Sequence, residues 1–204
     1  MEKRIEKYVR MFGRTLQKSG YPDADRKESD YRKRLEEMYA SEAFRQHNVY
    51  PTMNVIHVYA VIGMCLELKD DGLPDDEIIS LVNEVFHTRR KAYAALIRCI
   101  DLYPGSWKIA RKWNINDHEK RVRDGSITYD SFEVSEEKIA YKISRCMYVN
   151  MFEYYGIRSL CRIFCMTDET AYKNLSKHVE FIRHSDLSLG DSCHDEVMRK
   201  RKTG

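Results

Sequence analysis

Long apolar runs are missing from this chain of 204 residues. No stretch approaches the roughly 18 residues that cross a bilayer as a helix, so a helical membrane protein is excluded. A dominant charge is missing too. The 35 Lys and Arg nearly cancel the 32 Asp and Glu, leaving a formal charge of +3. That field is too weak to argue for nucleic acid, and no nucleic-acid or membrane partner is expected. The one dense basic run, Arg199-Lys200-Arg201-Lys202, stands at the very end and reads as a solvated tail. Cys-x-x-Cys pairs are absent, which removes the commonest zinc-knuckle and thioredoxin spacings. The opening residues, Met1 to Lys7, lack the apolar core of a secretory signal, so a cytoplasmic protein is expected. In that setting the six cysteines read as free thiols, ligands or nucleophiles and not as a disulfide framework. No internal repeat or low-complexity tract appears.

What is present suits one globular domain. Hydrophobic residues make up 43% and charged residues 33%. A chain of this length buries about 70% of its unfolded surface around one core. The first half, 1–123, predicts helices. Ile5, Tyr8, Val9, Phe12 and Leu16 form one stripe from Glu2 to Lys18, stopped by Ser19-Gly20-Tyr21-Pro22. A very polar helix follows from Asp23 to Tyr39. Val55, Val58, Tyr59, Ile62, Cys65, Leu66 and Leu68 predict a well-buried helix after Pro51. Leu73-Pro74-Asp75-Asp76-Glu77 starts the next, with a break near His87-Thr88. Trp107 to Val122 predicts another, with Trp107, Ala110 and Trp113 inward. His57, Cys65 and Cys99 read as packing residues; His47 and His118, among polar neighbours, are expected exposed.

At Asp124-Gly125 the pattern changes. Tyr129 to Val134 has strand character, and Ile139, Tyr141 and Ile143 alternate with Ala140, Lys142 and Ser144, so a hairpin spans Tyr129 to Arg145. Two helices follow, one closed by Gly156 and one running to Asp168. Val179 to Arg183 and Ser192 to Lys200 predict two further strands around a turn at Gly190-Asp191. The expected fold class is α+β: a helical half, then an antiparallel four-stranded sheet (124–204) with two helices inserted between its hairpins.

Reactive side chains concentrate from Cys146 to His194. A thiol near a base can be held as thiolate, the nucleophilic form, with Asp168 orienting a histidine or acting as general base. Cys193 and His194 are neighbours on a strand and so point to opposite faces, which makes His194 a poor base for Cys193. A metal reading also stands: Cys146, Cys165 and Cys193 with His194, His184 or Asp168 would make a zinc set. Plain core packing is the third reading, and it is preferred for Cys161 beside Leu160.

The ordered set Ser144-Arg145-Cys146-Met147-Tyr148, Phe152-Glu153-Tyr154-Tyr155-Gly156-Ile157, Phe164-Cys165-Met166-Thr167-Asp168, Phe181-Ile182-Arg183 and Gly190-Asp191-Ser192-Cys193 resembles the L-2-amino-thiazoline-4-carboxylic acid hydrolase family. After Cys193 the chain departs from the pattern, running His194-Asp195-Glu196 with no aromatic. The resemblance implies hydrolysis of a small cyclic carbon–nitrogen compound of thiazoline or amidine type. It implies Cys146, Cys165, Asp168 and Cys193 as catalytic, Arg183 as substrate-binding and a small-molecule substrate; His194, beside the last of these thiols in sequence, is also expected to bind substrate, and no cofactor is expected. A non-catalytic sensor using the same thiols, a zinc or thiol-redox domain, and a homo-oligomer stay open.

Overall fold

The stripe on Glu2 to Lys18 does what its spacing predicts. Helix α1 (Glu2–Lys18) buries Ile5, Val9, Phe12 and Leu16, while Tyr8 is half-buried and meets His57 Nδ1 at 3.1 Å. The computed structural model describes residues 1–190 and 192–200. Asp191 of the expected Gly190-Asp191 turn, and Arg201 and Lys202 of the basic tail, lie outside the described residues. The chain forms two compact units, Met1–His87 with Met151–Ile163, and Thr88–Asn150 with the described residues from Phe164 on.

In the first unit α1 packs with α2 (Ala24–Ala40), α4 (Thr52–Asp70) and α5 (Asp75–Val85). Helix α4 is buried on nearly all sides, from Val55 to Leu68. Gly72, at φ +79°, ends it in a conformation L side chains resist, and Pro74 with three acids opens α5. The buried tyrosines satisfy their hydroxyls on helix carbonyls: Tyr31 donates to Ala60 O at 2.9 Å and Tyr39 to Ile56 O at 2.8 Å. Lys27 is buried as well; its Nζ lies 2.7 Å from Asp71 and 3.7 Å from Glu67, and Glu67 also receives Arg34. A six-residue helix, α3 (Glu42–His47), was not foreseen. Ser41 caps it by accepting the Phe44 N–H at 3.1 Å. His47 is half-buried rather than exposed, its Nδ1 2.7 Å from the Tyr59 hydroxyl.

The second unit is a four-stranded antiparallel sheet with helices packed on it, as the α+β reading expects. Its helices are α6 (His87–Asp101, from Thr88 on), α7 (Ser106–Arg123) and most of α9 (Arg162–Lys173). The strands are β1 (Ile127–Val134), β2 (Lys138–Cys146), β3 (Val179–Ser185) and β4 (Cys193–Arg199), in spatial order β1-β2-β4-β3. Helix α8 (Met147–Tyr154) leaves directly from the end of β2. One face of the sheet joins Ile97, Trp107, Ala110 and Leu175 in a core through Ile139, Val179 and Val197. Trp113 is 40% exposed, contrary to its expected inward position. His118 is half-buried, stacked on Phe132 at 3.7 Å between ring centres; an aromatic partner from β1, distant in sequence, draws it in. Among the described residues no helix is long and apolar enough to cross a membrane.

Candidate active site

Strand register decides which side chains meet. Arg183 pairs with Asp195, and Asp195 with Tyr141, so these three form a row across β3, β4 and β2. Period-two alternation puts Cys193 on the same face as Asp195. The row is tied by a two-pronged ion pair: Arg183 Nε donates to Asp195 Oδ1 at 3.0 Å and its second terminal nitrogen to Oδ2 at 2.9 Å. Tyr141 Oη completes the row at 3.2 Å from Oδ2. The Asp195 side chain is 2% exposed and that of Arg183 14%. The remaining Arg183 nitrogen reaches back to α9, donating to Cys165 O at 3.1 Å and Glu169 at 3.4 Å. Asp168, one α9 turn beyond Cys165, lies 3.8 Å from the same guanidinium.

Cys146 is the last residue of β2 and the residue before α8. The Met147 N–H donates to Ser126 O at 2.8 Å. The N–H groups of Val149 and Tyr148, in the first turn of α8, lower the cost of ionising the Cys146 thiol. Sulfur here takes the place of a capping hydroxyl, and two peptide donors with the helix dipole favour its anion. Arg121 from α7 adds positive charge nearby; its own partners are Asp117 at 3.3 Å and the Tyr148 hydroxyl at 3.4 Å.

The thiols therefore differ. Burial pushes all of them up. For Cys165, burial and Asp186 push hard and Arg183 offsets only part. For Cys193, burial and Asp195 push it up to about 12. At Cys146 burial also raises the thiol, but the Val149 and Tyr148 N–H groups and Arg121 pull the other way. Its thiolate is the least costly of the three. Asp168 is raised to about 6, first by crowding of protein around it, with Arg183 opposing and Asp195 and Asp117 adding to the push. Yet its side chain is 62% exposed. Both hold for a carboxylate in a recess, flanked by protein but wetted at its tip.

Cys146, Cys165, Cys193, Asp168 and Arg183 thus act on one another electrostatically around α9, the β2 end and one sheet face. His194 is not with them. It lies on the opposite face of β4 from Cys193, against His184. Cys161 is buried in the first unit, in a 3-10 turn (Arg158–Cys161) before α9, and is core as expected. Sequence reasoning missed Asp195 and Arg121. Alternation from Cys193 pointed to Asp195; Arg121 stood in a basic helix end that looked like ordinary dipole pairing. A groove of about 430 Å³ elsewhere in the second unit is lined by Trp107, Lys108, Arg111, Lys112 and Arg199, and no cysteine reaches it.

A search among curated proteins returned no match. The family model for L-2-amino-thiazoline-4-carboxylic acid hydrolase, in contrast, matches residues 54–195. That span takes in Cys146, Cys165, Asp168, Arg183 and Cys193 and most of the chain, which therefore belongs to the L-2-amino-thiazoline-4-carboxylic acid hydrolase family.

Proposed function

We propose that this protein hydrolyses a small cyclic compound with an amidine-type carbon, of the thiazoline carboxylate kind, with Cys146 as nucleophile. The observation that carries this reading is the position of Cys146 between β2 and the start of α8, where the Val149 and Tyr148 N–H groups favour its thiolate. They favour thiolate in a buried site and stay in place to hold charge as the reaction proceeds. Asp168, raised to about 6, is mostly ionised at neutral pH, and its charge acts on the Cys146 thiol. It serves first as base and then as acid.

The steps balance as follows. Asp168 takes the thiol proton. The Cys146 sulfur adds to the carbon between the two ring heteroatoms, and the C=N electron pair moves to nitrogen, which takes the proton back from Asp168. Collapse of the tetrahedral adduct breaks the ring carbon–sulfur bond, and the departing sulfur takes a proton from the exocyclic nitrogen, so that the ring opens and an isothiourea is left on Cys146. Water then attacks the carbon–sulfur adduct, restoring the thiol. The net change is addition of one water.

A carboxylate on the substrate needs a cation. Arg121 suits this role, because its partners are long and few, whereas the planar fork of Arg183 is closed on Asp195. Arg183 is then a positioning residue that sets α9, and with it Asp168, against the sheet.

The test is turnover of L-2-amino-thiazoline-4-carboxylate, read by mass spectrometry as a product heavier by one water. Cys146→Ala is expected to lose at least about 10³-fold in rate with an unchanged circular dichroism spectrum. Cys165→Ala and Cys193→Ala are expected to keep measurable turnover. Wild-type rates in Cys146→Ala would sink the assignment.

A further inference from the structure

The sheet face away from the thiols carries side chains that the proposed hydrolysis does not use. His194 and Glu196 alternate onto it from β4, as their half-buried positions between buried Cys193, Asp195 and Val197 require. His184 joins them through an irregularity in β3. The β3–β4 register shifts between Arg183 and Ser185, leaving His184 as the extra residue opposite His194. A bulge of this kind re-aims a side chain. The ligand atoms of His184, His194 and Glu196 all lie within 4.8 Å of one another. His184 Nε2 is 3.5 Å from Glu196 Oε2, and the two imidazoles are 4.7 Å apart between ring centres.

We propose that His184, His194 and Glu196 form a binding site for a divalent transition ion of the zinc class. The donor set selects that class. Two imidazole nitrogens and one carboxylate oxygen suit zinc, cobalt or nickel, whereas magnesium and calcium take oxygen ligands throughout. The size fits too. Ligands at about 2.0–2.2 Å from a tetrahedral ion stand roughly 3.4 Å apart, which the His184–Glu196 pair already approaches. Small side-chain rotations close the remainder. Lys138 Nζ holds the other oxygen of Glu196, Oε1, so that Oε2 is the one turned to the imidazoles. An outer contact of this type orients a ligating carboxylate. His184 is 44% exposed, which gives an ion its entry and leaves a coordination position for water. Glu196 falls just outside the 54–195 span that matches the family, so the site combines family positions with one of this chain's own.

Cobalt(II) titration of the full chain tests this and needs no enzyme activity. The expected result is one ion per chain, with visible ligand-field absorption and no thiolate-to-cobalt charge-transfer band in the near ultraviolet. His184→Ala and His194→Ala are each expected to weaken binding at least about tenfold. Circular dichroism checks their folding; if a histidine variant does not fold, Glu196→Gln, which keeps the shape, is read in its place. Cys146→Ala is expected to bind cobalt as wild type does, so the site stands or falls apart from the hydrolase reading. No saturable binding, a thiolate band, or unchanged affinity in the ligand variants would each overturn the proposal.

Discussion

The ion pair between Arg183 and Asp195 is the contact most exposed to a quantitative test. Replacing Asp195 by Val removes two charge-assisted hydrogen bonds, at 3.0 and 2.9 Å, from a guanidinium whose side chain is only 14% exposed. Breaking a buried pair from one side costs about 3–5 kcal/mol, because the surviving charge is left without compensation. Here Cys165 O at 3.1 Å and Glu169 at 3.4 Å remain, which moves the figure to the lower end. The Tyr141 hydroxyl loses its 3.2 Å contact as well, worth about 1 kcal/mol. The sum is about 3–4 kcal/mol. For a chain of this size each kcal/mol moves the midpoint by about 2–4 °C, so Tm should fall by about 6–16 °C. Urea unfolding followed by circular dichroism, with calorimetry to see whether the two units melt together, gives the measurement. The double variant Arg183→Met with Asp195→Val should recover at least half of the loss, since neither charge is then stranded. A single variant within about 0.5 kcal/mol of wild type, or a double variant less stable than the single, would refute the reasoning.

Three other outcomes follow from the same physics. Asp168, raised to about 6, should appear as the ascending limb of the kcat/KM profile near that pH, and Asp168→Asn should remove both limb and activity. The folded protein holds this proton more tightly than the unfolded chain does. The group therefore favours the fold below its ordinary value of 3.8 and loses that contribution as pH rises through about 6, so Asp168→Asn should be no less stable than wild type at pH 7 in thermal melts. In the first unit, Lys27→Met removes the 2.7 Å contact to Asp71 and the donor to Glu67 O at 3.1 Å; with Arg34 still on Glu67, urea unfolding should show a loss of about 2–3 kcal/mol.

Much of this fold was readable because most elements carry their own signal. The α1 stripe, the Pro74 start of α5, the break before His87 and the alternation from Ile139 all sit within a few residues of what they determine. Features that depend on a partner from elsewhere were not readable. Helix α3 has too few residues for a period and is set by the Ser41 cap and by Phe44 packing on Tyr39 and Tyr59. His118 looked exposed until β1 brought Phe132 against it. The order β1-β2-β4-β3 places β4, the last strand, inside the sheet, and no local pattern encodes that. The candidate site divides in the same way. Cys146, Cys165, Asp168 and Cys193 stood out by residue type, whereas the features that distinguish Cys146 from the other thiols are peptide N–H groups, which every sequence has and none displays.

Residues 151–163 belong to the first unit although the chain has by then built α6, α7 and the first hairpin of the second. Phe152 and Leu160, both at 0% exposure, lie in that segment, and Ser159 Oγ bonds Asp75. The backbone therefore passes between the units at 87, at 150 and again at 163. No single cut, natural or engineered, can release either unit whole. On the ribosome, where chains ordinarily fold from the N-terminus unit by unit, the first unit must wait for its last segment until most of the chain has emerged.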